Sequence, residues 1–135
     1  MKKNLLLLVV VFITATAFAQ PCVPDPLFTQ PGIYPDSATG FSDACVDDFY
    51  TQVITNIVPV DTCTQILPAP LPCTTFAFDS IIIVGFTGLP ASMTYSCATT
   101  LGGCSFAGGM AGCAVITGTP TAGEVGNYHL VITVD

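Results

Sequence analysis

The chain has 135 residues, nine Asp and Glu, one His, seven Cys, and two basic residues, Lys2 and Lys3, both at its start. Beyond Lys3 there is no Lys or Arg, so binding to nucleic-acid phosphates is excluded, as is adhesion to an anionic membrane surface. None of the carboxylates can be neutralised by Lys or Arg, so each must be hydrated, hydrogen-bonded or metal-bound.

Lys2 and Lys3, the apolar run Leu5–Ile13 and the small-x-small sequence Ala17-Phe18-Ala19 read as a cleaved signal peptide over 1–19, with Gln20 the first mature residue. Pro21 before Cys22 argues against a lipoprotein. What remains is about one domain's worth of chain, without a second apolar run long enough for a membrane span. Residues 20–44 carry Pro21, Pro24, Pro26, Pro31 and Pro35 and read as an extended, Pro-rich lead-in. The module proper is expected over 45–135.

Phe49–Val58, rich in β-branched and aromatic residues and closed by Pro59, predicts a strand. Leu67–Cys73, LPAPLPC, is a Pro-spaced connector. Phe76–Phe86 predicts one buried strand, because Ile81, Ile82, Ile83 and Val84 run without alternation. Gly88-Leu89-Pro90 is a turn, Met93–Cys97 a short strand, and Gly102–Gly112 a glycine-rich loop. Cys113–Thr117 and Asn127–Val134 are the last two strands, read as a closing pair. In the latter, Tyr128, Leu130, Ile132 and Val134 share one face, with Tyr128 packing into the core. His129, Val131, Thr133 and Asp135 share the other. Short strands with Gly/Pro punctuation and no helical pattern predict an all-β sandwich.

A signal peptide with Cys22, Cys45, Cys63, Cys73, Cys97, Cys104 and Cys113 implies disulfides in an oxidising compartment. Zinc is disfavoured by a single His and the lack of any CxxC pair. Spacing does not fix connectivity. Local pairing suggests Cys22–Cys45 and Cys63–Cys73, with one bond inside the group Cys97, Cys104 and Cys113. The odd cysteine is free, bonded to another chain, or bonded to sequence outside this one.

The segment Gly118-Thr119-Pro120-Thr121-Ala122-Gly123 invites a phosphate-loop reading, but a P-loop needs a lysine after its glycines, and there is none. His129, the sole imidazole, would have to serve any Ser-His-Asp or Cys-His site, and no nucleophile elbow or catalytic-Cys signature accompanies it. No catalytic residue is assigned. Among the acids, Asp43, Asp47 and Asp48 cluster within six residues without matching an EF-hand loop. They are either a solvated surface or calcium ligands; no other cofactor is expected.

Gly88-Leu89-Pro90, Ile116-Thr117-Gly118-Thr119-Pro120-Thr121, Gly126-x-Tyr128 and Val131-Ile132-Thr133-Val134-Asp135 resemble the Ig-like (cadherin-like) repeats of bacterial extracellular proteins, which read GLP…G-x-I-x-GTP…G-x-Y…V-T-V-x-D. The likeness covers roughly the last 50 residues and is interrupted by the Cys97–Cys113 segment. The upstream PGIYPDSATG and CSFAGG are similar to N-terminal regions of cargo proteins exported by the type IX system. The resemblance implies an Ig-like β-sandwich and places Asp135 where such repeats often hold an interdomain calcium ligand. It also implies a secreted or surface-displayed, non-enzymatic spacer or adhesion module whose partners are neighbouring domains of the same chain, or an extracellular protein or glycan. The sequence closes on Asp135 directly after a strand, which reads as a fragment of a longer chain. The rival expectation is a carbohydrate- or protein-binding module accompanying an extracellular hydrolase, for which Phe41, Phe49, Tyr50 and Tyr95 are the candidate stacking aromatics.

Overall fold

A computed structural model describes residues 22–66, 72–99 and 103–135; the signal segment expected at 1–19 and most of the connector after Ile66 lie outside the described residues. Among the described residues nine strands follow in chain order: β1 (Gly32–Tyr34), β2 (Tyr50–Ile57), β3 (Asp61–Thr64), β4 (Thr74–Ala77), β5 (Ser80–Thr87), β6 (Met93–Ala98), β7 (Ser105–Ala107), β8 (Ala111–Gly118) and β9 (Val131–Val134). A single 3-10 turn, Ala122–Glu124, is the helical element among the described residues. The chain is thus nearly all-β. No helix among the described residues is long and apolar enough to cross a membrane.

The strands form a four-stranded sheet in the order β1-β2-β8-β6, a three-stranded sheet β7-β5-β9 and a two-stranded ribbon β3-β4. All pairings are antiparallel. Directly opposed residues share a face, so the registers Ile54↔Ala114, Tyr95↔Ile116 and Met93↔Gly118 line up one inner surface of the larger sheet. Ile54, Met93, Ala114 and Ile116 are buried there and pack against Phe86 and Leu130 and Ile132, which come from β5 and the segment of β9. A second cluster, Val58, Ile83 and Phe106, gathers Phe78, Ile81 and Ile132 around it. Side chains of both larger sheets therefore meet in common apolar clusters. Full burial of Ile54 or Ile116 contributes about 1.5–3 kcal/mol each.

The opposite face of the larger sheet is also covered, but locally. Thr55↔Cys113 is a facing pair, and both side chains are buried. The lead-in lies over them: Cys22 is bonded to Cys113, and the Asp25 N–H donates to Thr55 Oγ1 at 2.9 Å. Phe28 stacks on Tyr34 of β1 with ring centroids 4.2 Å apart. The lead-in is interrupted by turns, with the Phe28 N–H donating to Asp25 O and the Gly40 N–H to Asp36 O, and its Gly32–Tyr34 stretch joins the sheet as an edge strand beside β2.

Several expectations are corrected. Cys22 bonds Cys113, not Cys45, which is left exposed as a free thiol. Nearness in sequence misleads here, because Cys113 sits on the outward face of central strand β8, directly under the lead-in. Cys63–Cys73 forms as expected, and Cys97–Cys104 is the bond within the last group. The segment Phe76–Phe86 is two strands rather than one. The chain turns at Phe78 and Asp79, where the Phe78 N–H reaches Val60 O and Asp79 O accepts from Gly108. The run Ile81–Val84 is not buried on both faces: Ile83 is in the core, while Ile82 and Val84 are 44% and 62% exposed. The glycine-rich segment contains β7. Strands β8 and β9 are not a pair; they lie in different sheets, so the GTPT segment crosses between sheets. Tyr128 is 48% exposed rather than packed in the core.

Candidate functional site

The loops preceding β2, joining β5 to β6 and following β8 converge at one end of the larger sheet, because Gly118 faces both Tyr50 and Met93. They are held to one another by specific contacts. The Asp47 N–H donates to the buried Pro120 carbonyl at 2.9 Å, with Asp47 in the left-handed region at φ 62°. Asp tolerates that conformation better than most residues. Glu124 spans two loops: Oε1 accepts from the Ser92 N–H at 2.9 Å, and Oε2 accepts from the Thr121 N–H at 2.9 Å and the Thr121 hydroxyl at 2.7 Å. Hydrogen bonds from Thr121, then from Ser92, favour the carboxylate and lower the Glu124 pKa from its ordinary 4.5 to about 2.

Two glycines make these approaches possible. A Cβ on Gly88 would run into the His129 carbonyl, and Gly88 itself has φ +87°. A Cβ on Gly118 would run into the Ser92 carbonyl and Met93 Cα. The GTPT segment is therefore a brace between loops. Glu124 was not singled out in the sequence, although Thr121-x-x-Glu124 carries the capping-box spacing that signals it.

Of the acids expected as calcium ligands, Asp135 is not brought to the other three. Asp43, Asp47 and Asp48 are all exposed in the loop before β2. Asp135 exchanges backbone hydrogen bonds with Ile82, whereas Val131 faces Thr87 beside the Gly88 turn. Asp135 is thus at the far end of β9 from the loop cluster, about 13 Å of strand away at 3.3 Å per residue. Among the described residues no group of three or more His, Cys, Asp or Glu is arranged to hold a metal ion.

Of the candidate stacking aromatics, Tyr50 and Tyr95 share the inner face of the larger sheet, not an open binding face. Phe41 and Tyr50 pack against the first core cluster, and Tyr95 lies against Phe86 with ring centroids 4.2 Å apart. Phe49 alone is openly displayed, at 71% exposure. His129 is exposed and makes no side-chain hydrogen bond among the described residues. One groove, about 260 Å³, is lined by Ala98, Phe106, Ala107 and Met110 among others and holds no titratable side chain, so acid–base chemistry has no purchase there. No family model, curated protein or solved structure matches the chain.

Proposed function

We propose that the chain is a secreted or cell-surface, non-enzymatic module of Ig-like β-sandwich architecture that spaces or adheres within a larger exported bacterial protein. The observation that carries this reading is how the resembling motifs are used. The GLP glycine accommodates the His129 backbone, the GTP glycine accommodates Ser92, and Glu124 ties the two loops. All of them serve rigidity. Clusters shared by the two larger sheets support the sandwich reading, and three disulfides accord with an extracellular setting.

The test has two arms. Expression of the full sequence in a gram-negative host should yield a product beginning at Gln20 outside the cytoplasm, with the three bonds recovered by non-reducing peptide mapping. The same product, offered to glycan arrays and to extracellular proteins, separates the two roles. No saturable binding fits a spacer; saturable binding lost in Phe49→Ala fits adhesion through the loop end. Retention in the cytoplasm with reduced thiols, or turnover of a glycoside or peptide substrate, would overturn the proposal.

A further inference from the structure

We infer that the free edge of β9 is a self-association surface, on which a second copy of this chain pairs antiparallel in a single register. The argument does not depend on whether the module spaces or adheres. Ile82 and Asp135 exchange both backbone hydrogen bonds, each 2.8 Å, so the N–H and C=O of Asp135 point at β5. Orientation alternates along a strand, so the N–H and C=O of Val134 and Ile132 point away from β5. Among the described residues no strand lies on that side. The stretch Val131–Val134 carries no Lys, Pro or bulge of its own, the devices that normally protect an edge. Val131 and Val134 are 45% and 48% exposed.

The other edges of the two larger sheets are guarded. Strand β1 spans three residues and is bracketed by Pro31 and Pro35. Strands β6 and β7 are at the edges of their sheets, and Cys97 of β6 is bonded to Cys104, the residue just before β7.

Charge and geometry then select the partner and the register. Outside the signal segment the chain has nine carboxylates and no Lys or Arg, so two copies repel over most of their surfaces. The β9 edge offers one carboxylate, Asp135, and the chain's only imidazole, His129. A two-fold pairing must set outward-pointing residues opposite one another, which allows registers centred on each residue from Val131 to Val134. Centring on Val131 puts His129 against Thr133, and centring on Val134 puts Asp135 against Thr133. Centring on Thr133 puts Asp135 against Val131. Centring on Ile132 pairs the whole stretch 129–135: His129 faces Asp135 of the second copy twice over, and the exposed Val134 is covered by Leu130. An imidazole N–H facing a carboxylate can donate a hydrogen bond across the strands, and the Ile132-centred register has two such pairs.

The experiment is sedimentation velocity on residues 20–135 in a Cys45→Ser background, so that the exposed thiol contributes no disulfide. Strand addition buries little area and is weak, so concentrations run from about 10 µM to about 1 mM. The parent dimerises reversibly. His129→Asp raises the dissociation constant roughly tenfold, through two like-charge pairs, and His129→Asp/Asp135→His restores it. Val134→Pro removes an outward donor that β5 does not use and abolishes the dimer without shifting the melting midpoint; should it fail to fold, the charge series decides alone. A parent that stays monomeric throughout, or a His129→Asp protein that dimerises as tightly as the parent, overturns the inference.

Discussion

The Cys22–Cys113 and Cys63–Cys73 bonds span similar Cα separations, 6.0 and 5.5 Å, yet they belong to different kinds of closure. The first joins residues 91 apart and lands on a fully buried cysteine in central strand β8, where it clamps the lead-in over Thr55. The second joins residues 10 apart at the end of a ribbon, β3-β4, in which Thr62 alone is not exposed. A long-range bond restricts a large loop of the unfolded chain and joins two elements distant in sequence. A local bond confirms a hairpin that adjacency already favours. The same distinction applies to the non-covalent braces: Gly88 against His129 and Glu124 against Ser92 are both long-range closures.

Breaking the longest closure gives the largest effect. Cys22→Ser is expected to cost about 4 kcal/mol in urea unfolding, from the loop entropy regained by the unfolded chain. Reduction of the remaining bonds is avoided in this measurement. A loss below about 1 kcal/mol, within the range of ordinary surface substitutions, would mean that the lead-in is held by the β1–β2 pairing and the Asp25–Thr55 hydrogen bond without help from the bond.

Gly88→Ala comes next and probes closure without a covalent link. The new methyl meets the His129 carbonyl, and the φ of +87° is one that only glycine adopts without strain. The expected cost is about 2–3 kcal/mol, with Gly123→Ala as the control, since a Cβ there meets nothing within 4 Å. Equal effects of the two substitutions would remove the close approach as the cause.

Glu124 supplies a pH-dependent closure. Its folded pKa is depressed, so its contribution to stability is complete above about 4.5 and is lost as pH falls towards 2. Urea midpoints of the parent and of Glu124→Gln should differ by a constant amount above pH 5 and converge as pH approaches 2. A gap that persists unchanged at pH 2 would show that the carboxylate charge is not what holds Ser92 and Thr121.

This division also accounts for what could be read from the sequence. Strands β2 and β8 were legible because β-branched runs closed by Pro59 or Gly118 carry their own signal. Cys63–Cys73 was legible because its partners are near in the chain. Cys22–Cys113 was not, since which residue of β8 faces outward depends on register with β2, and register is a tertiary property. The Ile81–Val84 run suggested burial on both faces, but only one face of β5 is covered. The placement of β8 and β9 in separate sheets was hidden for the same reason: alternation reports faces, not neighbours. Among the site residues, the clustering of Asp43, Asp47 and Asp48 in one loop was legible, whereas the remoteness of Asp135 depends on the β5–β9 register. The Glu124 brace was half visible in its spacing from Thr121 and invisible in its bond to Ser92.

The smallest effect is expected at the ribbon. If β3-β4 unfolded together with the core, removing Cys63–Cys73 would cost about 2–3 kcal/mol for a loop of this length. The ribbon adds no buried side chain to either cluster and meets the core at its base, where the Phe78 N–H reaches Val60 O. It should therefore open as a separate unit of low stability. Cys63→Ser/Cys73→Ser is predicted to move the core unfolding free energy by less than about 1 kcal/mol, while amide exchange in β3 and β4 rises to that of an open chain. Calorimetry and hydrogen exchange on one sample read both quantities. A midpoint lowered as far as in Cys22→Ser, with exchange in β2 and β8 accelerated in step, would place the ribbon inside the cooperative core and erase the distinction between local and long-range closure.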